Sequence, residues 1–200
     1  MGKKLLSIYI GGEAVVKIYD NKVEKIRKPK KYRIRRLDKI LRIRRTKSEA
    51  KILHLARKSG VATPIVYDVV GCKIVMEKIS GKPVKHVMNA EISKKIGESV
   101  AKLHANNIIH GDITPMNMII QDGKIYFIDF GLAFIDNKIE PKGVDLHVYF
   151  ESLKAYYDDW KELKESFVEG YLKAGGSKDV VLRAEEIESR GRYVERVGLA

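Results

Sequence analysis

Residues 110–117, HGDITPMN, and residues 129–131, DFG, decide the fold of this 200-residue chain. The stretch between them contains Asp122-Gly123, a dipeptide typical of tight β-hairpin turns. A hairpin here would bring its two ends, Asn117 and Asp129, together in space. Because Mg²⁺ prefers carboxylate and amide oxygens, these two ends form a candidate metal site.

The same residues match the catalytic-loop and Asp-Phe-Gly pattern of protein kinases, with Gly111 in place of Arg and Thr114 in place of Lys. Phosphoryl transfer needs Mg²⁺ on the phosphate oxygens and a carboxylate that orients the attacking hydroxyl or water. Asp112 is therefore the candidate catalytic residue, and Asn117 and Asp129 are the candidate Mg²⁺ ligands. Taken singly, Asp129 could be a turn residue and Asn117 a strand-entry cap. Because Asp112, Asn117 and Asp129 occur together in the order of the kinase motif, the functional interpretation is favoured.

Two charged residues upstream are candidates for ATP binding. Lys25 lies on a predicted strand, where an ammonium could hold the α- and β-phosphates, and Glu49 on the next predicted helix could pair with it. The run Thr46-Lys-Ser-Glu49 also fits a capping box, which predicts a helix from Thr46 to about Lys58 and gives Glu49 a structural role. The sequence leaves both interpretations of Glu49 open.

Two short segments complete the candidate ATP site. Gly11-Gly12-Glu13-Ala14, between two predicted strands, could form a turn that covers phosphates, although it is not GxGxxG. We call it the phosphate turn. Met76, Glu77 and Ile79 end a predicted strand before Gly81, a position suited to a hinge whose backbone groups meet the adenine edge.

Strand patterns dominate the front of the chain and helix patterns dominate the back. The predicted strands are 5–10, 13–19 and 22–28, with a hairpin over 65–70 and 72–79; the predicted helices are 90–105, 145–172 and 178–189. A break near Ser80–Pro83 predicts an N-terminal lobe over 1–80 and a reduced C-terminal lobe over 81–200. The expected fold class is α+β, with an antiparallel sheet and one main helix in the first lobe and helices in the second.

Positive charge is concentrated in residues 22–47, which we call the basic segment. It contains 14 Lys and Arg residues and two acidic ones, so it carries +12 of the net +13 of the chain. This imbalance favours a polyanionic partner, either nucleic acid or an acidic protein surface, over a merely solvated helix face.

Composition excludes several classes of protein. The single cysteine, Cys72, rules out an internal disulfide framework and a cysteine-based zinc site. No apolar run approaches the length of a membrane span, and the N-terminus lacks a signal-peptide pattern. We therefore expect a cytoplasmic protein with no membrane partner.

The chain resembles the small atypical kinase subunit of the KEOPS (EKC) complex, which modifies tRNA in archaea and eukaryotes. The resemblance runs through nearly the whole chain. It is carried by Gly12-Glu-Ala14, Arg44-Arg-Thr-Lys-Ser-Glu-Ala50, Met76-Glu77, Ile109-His-Gly-Asp112, Thr114, Asn117-Met118, Ile128-Asp-Phe-Gly-Leu132 and Lys142-Gly-Val-Asp-Leu146.

The resemblance implies a minimal two-lobed protein-kinase-like fold that uses ATP and Mg²⁺ as an atypical serine/threonine kinase or ATPase. It places the family's lysine on Lys25, its helix glutamate on Glu49, its catalytic aspartate on Asp112 and its metal ligands on Asn117 and Asp129. It also implies binding to the KEOPS transferase subunit and other subunits, and to tRNA through the complex, in support of threonylcarbamoyladenosine formation. The family's Arg/Lys-rich tail is only partly matched by residues 190–200.

Two alternatives remain on the sequence. The chain could be a RIO-like or small-molecule kinase of the aminoglycoside or choline type, or a non-catalytic RNA-binding scaffold with a kinase shape. A general protein kinase is disfavoured, because only 16 residues separate Asp129 from Asp145 and no APE motif follows. Asp145 itself could cap a helix or brace the catalytic loop.

Overall fold

The computed structural model describes residues 4–197, and the side chains of residues 4–190. The first part of the chain is a five-stranded antiparallel sheet in the order β1-β2-β3-β5-β4, with one long helix after β3. The bounds are β1 Leu5–Ile10, β2 Ala14–Tyr19, β3 Lys22–Arg27, α1 Arg35–Lys58, β4 Val66–Val70 and β5 Lys73–Glu77. The strands predicted for this part are confirmed to within two residues.

The helix α1 begins at Arg35, so the prediction of a helix start at Thr46 is wrong. Thr46 lies in the middle of the helix, where its hydroxyl donates a 2.7 Å hydrogen bond to the carbonyl of Arg42. A threonine bonded to the residue four positions earlier is satisfied within the helix and cannot act as its N-cap. The Arg, Lys and Leu residues before Thr46 are good helix formers, and they extend α1 through half of the basic segment.

The second part of the chain is mainly helical. Its elements are β6 Lys82–Pro83, α2 Ala90–Ala105, β7 Ile108–Ile109, β8 Met118–Gln121, β9 Lys124–Phe127, β10 Phe134–Ile135, α3 Ile139–Tyr156, α4 Trp160–Lys173 and α5 Lys178–Val197. The predicted helix 90–105 is confirmed, as is the hairpin that turns at Asp122-Gly123. The side chains of residues 191–200 lie outside the described residues, and so does the prediction about the C-terminal tail.

The prediction that residues 145–172 are helical is confirmed except at residues 157–159, which divide the range into the C-terminal part of α3 and most of α4. The break falls at Tyr157, whose backbone is extended. Its hydroxyl donates a 3.1 Å hydrogen bond to the carbonyl of Lys85, 72 residues earlier in the chain. This tertiary contact holds Tyr157 in a conformation that ends α3.

Two glycines let α2 and α4 pack in direct backbone contact. A Cβ added to Gly97 would lie 2.1 Å from the carbonyl oxygen of Phe167, and one on Gly170 would lie 2.1 Å from that of Lys94. The main core lies around this helix pair and includes the buried rings of Phe127, Phe150 and Phe167.

None of the helices in the described part of the chain has the length and apolar character needed to cross a membrane. The division of the chain near residue 80 stays a prediction.

Candidate active site

Four charged side chains meet where the sheet faces the second part of the chain. Lys25 on β3 lies 2.7 Å from Oε1 of Glu49 on α1 and 2.7 Å from Oδ1 of Asp129. Arg27, two residues after Lys25, contacts the other oxygen of Glu49. Lys25 is 8%, Arg27 4% and Glu49 2% exposed, so these charges are satisfied mainly by each other.

The pairing shifts the pKa values of both members of the Lys25–Asp129 pair. Burial alone would lower the pKa of Lys25, but the attraction of Glu49 and Asp129 outweighs it and raises the pKa above its ordinary value. Burial alone would raise the pKa of Asp129, but the Lys25 ammonium and the amide of Gly131 keep it below its ordinary value. Both groups are therefore charged at neutral pH.

Arg27 is a site residue that the sequence analysis missed. Residues two apart on a strand point to the same face, so its spacing from Lys25 was the available signal. Glu49, by contrast, takes the ion-pair role and not the capping role, since α1 starts fourteen residues before it.

The predicted catalytic loop is held by Asp145 of α3. The Asp145 carboxylate accepts 2.7 Å hydrogen bonds from the amides of His110 and Gly111, and lies 3.3 Å from Nε2 of His104. Asp145 lies inside α3, so the alternative that it caps a helix is wrong and the brace is confirmed.

Gly111 replaces the arginine of the protein-kinase pattern for a local reason. Its φ is +79°, in the left-handed region that favours glycine. A Cβ at this position would also lie 2.7 Å from the carbonyl oxygen of Leu132. The loop can therefore pack against the Asp-Phe-Gly segment only because this residue has no side chain.

Asp112 and Asn117 face each other across the loop. The side-chain amide of Asn117 donates to Oδ2 of Asp112 at 2.8 Å and to its backbone carbonyl at 3.0 Å. Asn117 precedes β8, Asp129 follows β9, and the amide of Ile128 donates to the carbonyl of Asn117 at 3.0 Å. The hairpin thus brings the two predicted metal ligands to one end, as the sequence predicts.

An apolar cleft lies beside these polar groups. Lys25, Asn117 and Asp129 line one end of it. Its apolar walls are Val16, Ile18, Val23, Met76, Ile79, Ile119 and Ile128. The cleft has the apolar surface and the few polar groups typical of a cofactor site.

The hinge residue Glu77 is clamped to the segment before β4. Its amide donates to the carbonyl of Ile65 at 2.8 Å, and its carboxylate accepts a 3.0 Å hydrogen bond from the amide of Ile65. Met76, Glu77 and Ile79 all line the apolar cleft, as the hinge prediction requires.

The phosphate turn lies over a second cavity that adjoins the first. The turn is closed by a 2.9 Å hydrogen bond from the amide of Gly11 to the carbonyl of Ala14. Glu13 is paired with Lys30 at 2.6 Å and Arg45 at 3.0 Å. The second cavity is lined by all four residues of the turn and by Lys25, Arg27, Arg45, Asp112 and Asp129.

The basic segment lies outside both cavities for most of its length. Arg35, Arg36 and Arg44 are exposed. Arg42 is bound to Asp38 at 2.6 Å, and Arg45 to Glu13. The basic segment also has exposed large apolar side chains, namely Tyr32, Ile34, Leu37 and Ile40.

The sequence of the chain is similar to those of known proteins. A family model described as the RIO domain matches residues 6–139. A probable serine/threonine-protein kinase BUD32 homolog from Archaeoglobus fulgidus is 60% identical over 194 residues, which cover 97% of this chain and 100% of that protein. A probable bifunctional tRNA threonylcarbamoyladenosine biosynthesis protein from Methanoculleus marisnigri is 45% identical over 185 residues, and this chain spans only 35% of its length.

Solved structures show the same fold at low sequence identity. The Rio2 kinase of Chaetomium thermophilum, in an ADP/Mg²⁺-phosphoaspartate complex, has a TM-score of 0.64 at 15% identity over 94% of this chain and 70% of its own. Macrolide 2'-phosphotransferase MphH from Brachybacterium faecium has a TM-score of 0.64 at 15% identity over 96% and 87%. The predicted α+β kinase-like fold is confirmed.

The resemblance to the atypical kinase subunit of the KEOPS complex is confirmed as well, because the matches cover nearly the whole chain at high identity. The chain belongs to the RIO-domain family of kinases and, within it, to the BUD32 homologues.

Proposed function

We propose that this protein binds ATP and Mg²⁺ between its sheet and its catalytic loop and transfers the γ-phosphoryl group to a hydroxyl or to water. The observation that carries the proposal is the convergence of Lys25, Glu49 and Asp129 at 2.7 Å contacts beside the Asp112–Asn117 pair. These are the charges that phosphoryl transfer requires, at the end of an apolar cleft that suits a base.

The nucleotide lies along the cleft in this proposal. Adenine packs between the apolar walls and meets backbone groups of Glu77 and Ile79, which line the cleft. The phosphates extend past Lys25 to the phosphate turn.

The donor set at the hairpin end fits Mg²⁺. The Nδ2 of Asn117 is used by Asp112, which leaves the amide oxygen as its metal-binding atom, and Asp129 supplies a charged carboxylate. Two protein oxygens are enough for Mg²⁺, which takes its other ligands from phosphates and water. Bound there, Mg²⁺ would neutralise phosphate charge during the transfer.

Asp112 orients the acceptor. Its carboxylate is fixed by Asn117, and its backbone is fixed through the amides that Asp145 binds. A carboxylate held in this way can accept the proton of an attacking hydroxyl or water.

We further propose that this activity supports formation of threonylcarbamoyladenosine in tRNA, in the cytoplasm. The bifunctional relatives carry the name of that pathway, and this chain matches only 35% of their length. We propose that their remaining part corresponds to the transferase subunit of the KEOPS complex, which is the partner that we expect for this chain. We expect this chain to bind tRNA only as part of the assembled complex.

The test is ATP turnover by the full chain with Mg²⁺, measured alone, with tRNA, and with the transferase protein. Stimulation by the transferase would support the proposal. Turnover only with a small alcohol would favour a small-molecule kinase, and no turnover or nucleotide binding under any condition would favour the scaffold alternative. The Asp129→Ala variant is the control for contaminating ATPases.

A further inference from the structure

Arg27 is a buried cation at the phosphate end of the cleft, and the kinase motifs assign it no role. Its Nη2 contacts Oε2 of Glu49, while Lys25 binds Oε1 of the same carboxylate at 2.7 Å. Glu49 therefore holds two cations, one on each carboxylate oxygen. Lys25 has a second carboxylate partner in Asp129 at 2.7 Å, whereas Glu49 is the one carboxylate paired with Arg27 among the described residues.

The strand register places Arg27 beyond Lys25 on the side away from the hinge. Along β3, Lys22 pairs with Glu77 of the hinge, and Arg27 pairs with Ala14 of the phosphate turn. A strand rises by about 3.3 Å per residue, so Arg27 lies roughly 6–7 Å further toward that turn than Lys25. A nucleotide with its base at the hinge and its first phosphates at Lys25 would place its last phosphate near Arg27.

The guanidinium of Arg27 also has unused hydrogen-bonding capacity. Its Nε is buried and has no partner among the described residues. An unpaired buried donor is costly, and a guanidinium binds phosphate oxygens well through parallel donors. Arg27 lines the second cavity together with Asp112, Asp129 and the phosphate turn, so an anion in that cavity would lie beside it.

We propose that Arg27 binds the terminal phosphate of the nucleotide and is a specificity-determining residue that favours ATP over ADP. This inference rests on the ATP binding proposed above. The competing explanation is that Arg27 serves only to neutralise the buried carboxylate of Glu49. If Arg27 binds the terminal phosphate, its removal weakens binding of ATP more than binding of ADP. If Arg27 only neutralises Glu49, its removal affects both nucleotides alike.

The experiment measures the affinity of the full chain, with Mg²⁺, for adenosine, ADP and a non-hydrolysable ATP analogue by calorimetry. We expect Arg27→Met to weaken binding of the ATP analogue by roughly tenfold to a hundredfold, the range for loss of a charged hydrogen bond. Binding of ADP should weaken much less, and binding of adenosine should not change. Arg27→Lys should give an intermediate loss, because it keeps the charge but not the planar fork.

Lys17→Met is the matched control. It removes one positive charge from the same sheet, but its neighbours Val16 and Ile18 face the cleft, so Lys17 faces away. It should leave the ratio of ATP to ADP affinity unchanged.

A Glu49→Gln background separates the two explanations, and also serves if Arg27→Met alone does not fold. In that background residue 49 carries no charge for Arg27 to neutralise, so a further selective loss of ATP-analogue affinity on Arg27→Met would support phosphate binding. The inference is overturned if the loss disappears there, or if all three ligands weaken equally. Failure of the unmodified protein to bind any nucleotide would instead refute the proposed function.

Discussion

The side-chain amide of Asn117 donates to the Asp112 carboxylate at 2.8 Å and to the Asp112 carbonyl at 3.0 Å. One residue thus fixes both the side chain and the backbone of the other. Both of these hydrogen bonds use the amide nitrogen of Asn117 and not its amide oxygen, so the pair links the proposed metal ligand to the proposed acceptor site.

Asp112→Asn should bind ATP almost normally and turn it over about 10²–10⁴-fold more slowly, the usual contribution of a positioned acid–base group. The change keeps the shape and an acceptor for Asn117 but removes the charge. Binding by calorimetry and turnover by phosphate release check the two quantities separately. A loss of binding that accounts for the whole loss of rate would show that Asp112 has a structural role.

Asp129→Ala should abolish Mg²⁺-dependent turnover in a folded protein. The carboxylate is the proposed charged metal ligand, and it is one of the two anions around Lys25. Circular dichroism verifies the fold, and turnover is measured over a range of Mg²⁺ concentrations. Near-normal turnover by the folded variant would reject the assignment of this metal site.

The stability of the protein should fall as the pH drops below the ordinary pKa of histidine, because of His110. Its ring is fully buried against Phe127 and Phe130, and this burial lowers the pKa of the imidazole. Below about pH 6.5 the unfolded chain binds a proton that the folded chain does not, so the free energy of unfolding decreases by up to about 1.4 kcal/mol per pH unit. The loss begins at the unfolded pKa and continues down to the lowered folded pKa.

Urea unfolding between about pH 5 and 8, without Mg²⁺, measures this slope. His110→Gln should remove that part of the slope, while the exposed His54→Gln should retain it. An unchanged slope in His110→Gln would show that other groups cause the acid sensitivity.

Gly97→Ala should destabilise the fold strongly, because its Cβ would lie 2.1 Å from the carbonyl oxygen of Phe167. Overpacking of this kind costs about 1–3 kcal/mol or more, since the two helices must separate. The free energy of unfolding in urea measures the effect. Lys102→Ala, at an exposed position of the same helix, is the control and should change stability by less than about 0.5 kcal/mol. Equal effects of the two variants would mean that the α2–α4 contact is looser than described.

Reversal of Arg35, Arg36 and Arg44 to Glu should weaken binding to tRNA or to the partner protein. These arginines are exposed, whereas Arg42 and Arg45 are held in ion pairs. Binding through phosphates makes affinity fall with salt at a log–log slope of roughly −0.7 to −0.9 per contact, and the variant should flatten that slope. Basal ATP turnover should not change, because none of these three arginines lines either of the two cavities of the candidate active site.

The control for this surface is reversal of three exposed lysines on other helices, Lys102 of α2, Lys173 of α4 and Lys178 of α5. Equal weakening by both triple variants would mean that only net charge matters. Loss of protein binding with intact tRNA binding would assign the surface to the protein partner alone.

Local patterns in the sequence determined most of the elements and the catalytic loop. The helix 90–105 and the hairpin at Asp122-Gly123 follow from apolar periodicity and turn chemistry, which act over a few residues. Asn117 and Asp129 could be placed together because one hairpin joins them. Asp112 followed from its fixed spacing to Asn117.

Only the tertiary structure decided the points that depend on residues distant in sequence. Thr46 and Glu49 form a valid capping pattern, but α1 continues through them from Arg35. The helix-forming residues before Thr46 favour this extension, and Arg42 on that part of α1 donates a 3.2 Å hydrogen bond to the carbonyl of Arg27 at the end of β3. The same holds for Asp145, which fits a cap locally but binds loop amides 34 and 35 positions earlier. Glu49 pairs with Lys25 and Arg27 because the sheet and α1 bury all three side chains together. A buried charge without a partner would destabilise the fold. The cost of an unpaired buried charge depends on burial, which a local sequence pattern does not show. The pairing of Glu49 is therefore decided only when the chain has folded.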